Sequence, residues 1–71
     1  MKILLAGASG AIGRRLVPLL RAAGHDIVGT TRSADKTAAL RALGAEPAVV
    51  DVFDAAALTR IIQAAAPQVV I

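Results

Sequence analysis

The chain has 71 residues, 56% of them hydrophobic and 18% charged, so it is one small folded domain or part of one, and a disordered tail is excluded. It has no cysteine, which excludes disulfides and thiolate metal sites. The net charge is +3, and the basic residues are scattered along the chain. A single aromatic residue, Phe53, cannot form the stacking platform that binds single-stranded nucleic acid, so we expect no nucleic-acid partner.

The apolar run near the amino terminus is short. Ile3 to Leu5 falls below the roughly 7–15 residues of a signal-peptide core. No stretch of the chain approaches the roughly 18 apolar residues of a membrane span. We therefore expect a cytoplasmic protein without a membrane partner.

Short apolar runs alternate with helical patterns along the chain. Lys2–Ala6 predicts a buried strand, because both of its faces are apolar. The pattern of Ala11–Ala23 predicts a helix, with Gly24 as its C-terminal stop. We expect a bend or distortion of this helix about one turn before Pro18. The inward face of this helix is predicted to consist of Ile12, Leu16, Leu19, Leu20 and Ala23.

The next segment predicts a strand and a short helix. The strand covers Asp26–Thr30. Ser33 is the candidate N-cap of the helix, and Gly44 is its expected stop. We expect Leu40 and Leu43 to point inward.

The last third of the chain predicts a strand, a helix and a strand. Pro47 is expected to open the strand Ala48–Val52, while Asp54 caps the helix and Pro67 ends it. The apolar side of this helix is predicted to carry Leu58, Ile61, Ile62 and Ala65. With a final strand over Gln68–Ile71, the pattern is βαβαβαβ, an α/β fold with a parallel sheet.

A glycine-rich turn joins the first strand to the first helix. Gly7 permits a tight turn, Gly10 lets a pyrophosphate approach the backbone, and Gly13 lets the helix and the strand pack closely. The strand before the turn and the helix after it favour a dinucleotide site over simple turn glycines. No Gly-Lys-Ser/Thr follows, which excludes a Walker A loop.

The first helix adds its amino terminus to this turn. Free amides there carry a partial positive charge that attracts an anion. We expect the amides of Ala11 and Ile12 to donate, with the Ser9 hydroxyl as a further donor. The predicted phosphate-binding residues are therefore Gly7, Ser9, Gly10, Ala11, Ile12 and Gly13.

The stretch Leu4–Gly13 resembles the cofactor fingerprint of extended and atypical short-chain dehydrogenases/reductases, which include the NAD-dependent epimerase/dehydratase family. Gly24–Ser33 and Gly44–Val52 match the same pattern in register. The resemblance implies a Rossmann-type sheet with strand order 3-2-1-4 and a nicotinamide dinucleotide bound over the carboxyl ends of the strands. It also implies that Asp51 binds the adenine amino group and Val52 flanks the adenine ring, whereas a solvated carboxylate is the alternative for Asp51.

The cofactor preference depends on the end of the second strand. NAD-preferring members of the resembled family place an acid there to hold the ribose 2′-hydroxyl. Here Thr31 occupies that position and Arg32 follows. Because a guanidinium can bind a 2′-phosphate with two hydrogen bonds, the sequence favours NADP over NAD. A solvated loop arginine is the alternative for Arg32, and Lys36 either adds charge or is simply exposed.

The resemblance also implies a catalytic Tyr-x-x-x-Lys pair, but the chain has no tyrosine. We therefore expect no hydride transfer from these residues alone, and whether the protein is an enzyme stays open. Three functions remain: the NAD(P)-binding portion of a reductase, epimerase or dehydratase; a non-catalytic NADP-sensing regulator; and a structural module that binds no cofactor.

The sheet implied by the resemblance is incomplete within this chain. We expect residues 1–71 to be the N-terminal half of an NAD(P)-binding Rossmann domain, truncated and without a second domain. The strand Gln68–Ile71 would then form a bare edge, which predicts self-association through that edge.

Overall fold

The fold is described from a computed structural model of all 71 residues. One parallel sheet contains strands β1 (Lys2–Leu5), β2 (Asp26–Thr31), β3 (Ala45–Val49) and β4 (Val69–Val70), in the order β3-β2-β1-β4. The connecting helices are α1 (Ala11–Ala22), α2 (Thr37–Leu43) and α3 (Ala55–Ala65), and a 3₁₀ turn (Ala34–Lys36) precedes α2. The predicted α/β class, element order and strand order 3-2-1-4 are confirmed.

The core lies between the sheet and helices α1 and α2. Side chains alternate along a strand, which places Ile3 and Leu5 on this face and Leu4 on the other. Val17 of α1 and Leu40 of α2 pack against this face of the sheet, and both are fully buried. The buried cluster consists of Ile3, Leu5, Ala8, Val17, Ile27, Leu40 and Ala45, with Leu43 packed against it. The predicted inward direction of Leu40 and Leu43 is therefore confirmed.

Helix α3 covers the opposite face of the sheet and packs loosely. Ile61 and Ala65 line a cavity of about 240 Å³ together with Val28 of β2 and Ala48 of β3. The predicted apolar side is half-buried throughout, at Leu58, Ile61, Ile62 and Ala65. The carboxylate of Asp54 accepts a hydrogen bond from the Ala57 amide at 3.1 Å, so this predicted cap is confirmed.

The helices are short, and all three end as predicted; α3 ends at Ala65, with Ala66 as its C-cap directly before Pro67. Gly24 and Gly44 follow α1 and α2 with left-handed φ angles of 92° and 101°.

Helix α1 is the longest at 12 residues, and it is continuous across Pro18. None of the helices has both the length and the apolar character needed to cross a bilayer.

Helix α1 turns a different face to the sheet from the one that periodicity predicted. Ile12 is 77% exposed and Leu19 is 67% exposed. Ala23, which directly follows the helix, is exposed as well. Gly13 and Val17 are buried instead. The prediction was wrong at Ile12, Leu19 and Ala23, while Leu16 and Leu20 do pack against the core.

Gly13 explains this rotation of α1. A Cβ on Gly13 would lie 2.5 Å from the carbonyl carbon of Ala8 and 2.7 Å from its Cα. Ala8 is itself fully buried, so the helix and the turn touch backbone to backbone. With Gly13 against the turn, Val17 one turn later faces the sheet. The close approach that Gly13 permits is therefore to the turn, and not to a strand as predicted.

Strand β3 begins three residues earlier than predicted. It covers Ala45–Val49 and not Ala48–Val52, so Pro47 lies within the strand instead of opening it. A proline fits here because β3 is an edge strand that pairs only with β2. The Val50 amide still donates to the Thr31 carbonyl at 2.9 Å, so the pairing continues one residue past the strand.

Ser33 does not cap a helix, contrary to prediction. It precedes the 3₁₀ turn, and α2 begins only at Thr37. The Ser33 hydroxyl donates to Oδ1 of Asp35 at 2.6 Å instead of accepting from a backbone amide. This hydrogen bond holds the pKa of Asp35 below its ordinary value, because it stabilises the carboxylate form.

The fourth strand pairs with β1 over the predicted length. Beyond the two residues of β4, the Gln68 amide donates to the Lys2 carbonyl at 2.8 Å. The Ile71 amide donates to the Leu4 carbonyl at 2.9 Å. The outer side of β4 is a sheet edge, and self-association through that edge stays a prediction.

The contact between Gly13 and Ala8 predicts that alanine at position 13 destabilises the protein, the opposite of its usual effect in a helix. Alanine normally stabilises a helix interior by up to ~1 kcal/mol relative to glycine. We expect Gly13→Ala instead to lower the free energy of unfolding by about 2 kcal/mol or more, because the new Cβ overlaps the Ala8 backbone. Chemical denaturation measures the change.

Gly10→Ala is the matched control for this prediction. A Cβ at Gly10 would meet only the Gly7 carbonyl, at an ordinary 3.5 Å. We expect its free energy of unfolding to stay within about 1 kcal/mol of the parent chain. Equal stability of the two variants would show that Gly13 does not fix the position of α1.

Candidate functional site

A cavity of about 350 Å³ opens at the carboxyl ends of the strands. Open α/β sheets bind their ligands at this edge. The cavity is lined by Gly7, Ser9, Thr30, Thr31, Arg32, Ser33, Val50, Val52 and Phe53. The residues around the end of β2 form a polar wall, and the segment that follows β3 forms an apolar wall.

The glycine turn is fixed to β2 by Thr30. Gly7 adopts a left-handed φ of 67°, which a residue with a side chain rarely takes. Its amide donates to Oγ1 of Thr30 at 2.8 Å, and the Ala8 amide donates to the Thr30 carbonyl at 2.8 Å. Thr30 is completely buried, and these two bonds join the turn to it and hold the turn in place.

The amino terminus of α1 has free amides, as predicted. Gly10 occupies the N-cap in an extended conformation and makes no side-chain capping bond. The amides of Ala11 and Ile12 donate to no protein acceptor. They point out of the first helical turn, where the helix dipole favours an anion. Phosphate binding at these amides stays a prediction.

Thr31 links the glycine turn to the loop after β2. Its hydroxyl donates to Oγ of Ser9 at 3.1 Å and accepts from the Ser33 amide at 3.2 Å. Thr31 is only 3% exposed, although it lines the cavity. The Thr31 hydroxyl also lies 3.5 Å from the Ser33 carbonyl, and Ser9 Oγ makes no other hydrogen bond within the protein.

Arg32 is the charged residue of the cavity. Its side chain is exposed and makes neither a hydrogen bond nor an ion pair within the protein. The one ion pair of the structure joins Arg21 to Asp26 at 2.9 Å, at the other end of β2. None of the nine lining residues is acidic. Lys36 is also exposed and borders a different cavity, beside Arg14 and Ser9.

Asp51 lies beside the cavity without lining it. Its Oδ1 accepts from the Phe53 amide at 2.9 Å, and its carbonyl accepts from the Asp54 amide at 2.8 Å. The second carboxylate oxygen has no protein donor. Val52 does line the cavity. The roles predicted for Asp51 and Val52 toward adenine stay predictions.

All predicted site residues except Asp51 fall into two groups that the glycine turn separates. The first group lines the 350 Å³ cavity and consists of Gly7, Ser9, Thr31, Arg32 and Val52. The second group lines an apolar cavity of about 470 Å³ on the β4 side and consists of Gly10, Ala11, Ile12 and Gly13, with Gly7 bordering both cavities. The glycine turn therefore lies between the two cavities. A ligand that occupied both cavities would pass over the turn.

Sequence reasoning missed four residues of the first cavity: Thr30, Ser33, Val50 and Phe53. Ser33 was considered only as a helix cap. Val50 and Phe53 flank Val52 in the same loop, so their proximity could have been inferred from the role assigned to Val52. No local pattern marks Thr30, because its partner Gly7 is 23 residues away.

Comparison with known proteins identifies the family. The model of the NAD-dependent epimerase/dehydratase family matches residues 3–71. The chain belongs to this family. The family is described as NAD dependent, which implies that its members bind a nicotinamide dinucleotide.

Two curated relatives match the chain. A 3-diazoavenalumate denitrifying reductase from a Streptomyces species is 42% identical over 72 residues, which cover 100% of this chain and 22% of the relative. An uncharacterized Schizosaccharomyces pombe protein is 47% identical over 47 residues, which cover 66% of this chain and 16% of the relative. The chain thus spans less than a quarter of the length of these relatives.

Solved structures share the fold. AibC superposes with a TM-score of 0.79 at 34% identity, over 97% of this chain and 21% of its own. A candidate epimerase from Burkholderia cenocepacia J2315 superposes with a TM-score of 0.78 at 31% identity, over 97% of this chain and 23% of its own. Both therefore support the Rossmann-type arrangement around the glycine turn.

The hydrogen bond between Gly7 and Thr30 predicts a difference between two substitutions. Thr30→Val keeps the side-chain shape but leaves the Gly7 amide without a partner, which costs about 1–3 kcal/mol. Thr30→Ser keeps the hydroxyl and should be less destabilised than Thr30→Val. Chemical denaturation of both variants measures the difference, and equal stabilities would contradict the role of the hydroxyl.

Proposed function

We propose that this chain binds NADP and forms the dinucleotide-binding part of an NADP-dependent reductase or epimerase. One observation carries the preference for NADP over NAD. Arg32 is the only charged residue lining the cavity at the end of β2, and it has no partner within the protein. A guanidinium in this position can bind a 2′-phosphate. No carboxylate lines the cavity, so no negative side chain would repel that phosphate.

The glycine turn would bind the paired phosphates. The amides of Ala11 and Ile12 have no protein acceptor, and the Ser9 hydroxyl can donate beside them. A Cβ at Gly10 would meet only the Gly7 carbonyl, so the surface of the turn is open at this position. The phosphates would thus approach from the side where the backbone is least covered.

The apolar wall would bind the adenine ring. Val50 and Val52 line it, and they follow β3 directly. The free oxygen of Asp51 could accept from the adenine amino group at the rim. This arrangement places an apolar surface for the base opposite the cationic residue for the 2′-phosphate.

The names of two relatives point to a reductase or epimerase reaction. The bound nicotinamide would supply hydride transfer. The residues of this chain would bind and orient the dinucleotide through the turn and through Arg32. A reductase or epimerase is favoured because one relative is named a reductase and a structural relative is described as a candidate epimerase.

Arg32→Ala tests the preference for NADP. Loss of a charge-assisted hydrogen bond worth roughly 1.5–3 kcal/mol should weaken NADPH binding by about tenfold or more. NADH binding should hardly change, because NADH has no 2′-phosphate. Calorimetric titration of both nucleotides into parent and variant chains measures the ratio.

Arg60→Ala is the control for this experiment. Arg60 is an exposed arginine of α3, and it lines none of the cavities. Its removal changes the net charge equally and should leave both affinities close to those of the parent chain. Equal losses of NADPH and NADH affinity in Arg32→Ala would exclude a 2′-phosphate role. Absence of any NADPH binding by the parent chain would contradict the proposed function itself.

A further inference from the structure

Phe53 is the single aromatic residue of the chain, and its side chain is 87% exposed. An exposed phenyl ring contributes almost nothing to folding, because its apolar surface remains in water. Phe53 nevertheless lines the cavity at the end of β2. The ring therefore stands at the mouth of the site and is not part of the core.

The backbone on both sides of Phe53 is fixed. Its amide donates to Oδ1 of Asp51 at 2.9 Å. The next amide, of Asp54, donates to the Asp51 carbonyl at 2.8 Å, and the Asp54 carboxylate caps α3. The backbone from which the ring projects is thus held in place, which lowers the backbone entropy lost when the ring contacts a ligand.

The lining of the cavity indicates what the ring would contact. Its three hydrophobic residues are Val50, Val52 and Phe53, all from the segment after β3. The wall that carries Arg32 contains hydroxyl groups and the cation. A ligand that fits both walls has an apolar group joined to an anionic group, and the adenine ring and 2′-phosphate of the proposed dinucleotide meet both requirements.

We propose that Phe53 stacks on the adenine ring of the bound dinucleotide and covers its solvent-facing side. This assignment rests on the proposed function, and it adds a residue to which no role has been given. Aromatic side chains stack on bases through their π faces, and removing such a contact weakens binding by about fivefold to 150-fold. Phe53 would therefore contribute affinity for the adenosine half, independently of Arg32.

The experiment uses adenosine 2′,5′-bisphosphate as the probe, since it contains the base and both phosphate groups of the adenosine half. In the full chain, Phe53→Ala should weaken its binding by about tenfold, and Phe53→Leu should weaken it less, because leucine keeps apolar area without a π face. Thermal unfolding of both variants should match the parent chain, since the ring is almost fully exposed.

Leu19→Ala is the matched control. Leu19 is also an exposed apolar side chain, but it lies on α1 and lines none of the cavities. This variant should bind the probe as the parent chain does. A loss of the same size in Leu19→Ala and Phe53→Ala would overturn the proposal, because exposed apolar residues in general would then be responsible.

Phe53→Trp provides a direct optical signal. The chain has no tryptophan and no tyrosine, so the fluorescence of the new indole reports on this position alone. Adenosine 2′,5′-bisphosphate should quench it by stacking, whereas inorganic pyrophosphate, which has no base, should not.

The two proposals fail in different ways. If the parent chain binds NADPH but Phe53→Ala binds adenosine 2′,5′-bisphosphate within about twofold of the parent, the assignment of Phe53 is wrong and the proposed function stands. If the parent chain binds neither NADPH nor the probe, the proposed function is wrong, and the role of Phe53 falls with it.

Discussion

Two hydrogen bonds to one buried residue fix the part of the molecule on which the site depends. The amides of Gly7 and Ala8 donate to the hydroxyl and the carbonyl of Thr30, which is shielded from water. These bonds hold the glycine turn against β2 and place Ala8 beneath Gly13 of α1. The rotation of α1, and with it the direction of the free amides of its first turn, follows from this docking.

Most elements that local signals specify were predicted correctly. The glycine stop of α2 at Gly44, the cap of α3 at Asp54 and the parallel sheet order could be inferred from nearby residues and the βαβ pattern. The cap predicted at Ser33 is the exception, because its hydroxyl bonds to the neighbouring carboxylate of Asp35. The other errors concern distant contacts. The buried face of α1 depends on the approach of Gly13 to Ala8, which the apolar residues of the helix do not encode. The start of β3 was misplaced because Pro47 is acceptable only in an edge strand, and strand position is a property of the whole sheet.

The same distinction holds within the candidate site. The glycine turn, Thr31, Arg32 and Val52 were identified from the sequence, and the structure brings them to one edge of the sheet. Thr30 was missed because its hydroxyl bonds to a residue 23 positions earlier. Phe53 is visible in the sequence as the lone aromatic residue, but only the fold shows that it lies at the mouth of the cavity with its ring in solvent.

The central claim is that the free amides of the first turn of α1 bind the paired phosphates of a dinucleotide. The most direct measurement is a titration of the ¹⁵N-labelled chain with NADPH, followed by the backbone amide signals in NMR spectra. The account predicts that the amides of Ala11 and Ile12 shift strongly as they gain an anionic acceptor, while the Gly7 amide, already bonded to Thr30, shifts much less. Binding of NADPH that leaves the signals of Ala11 and Ile12 unmoved would contradict it.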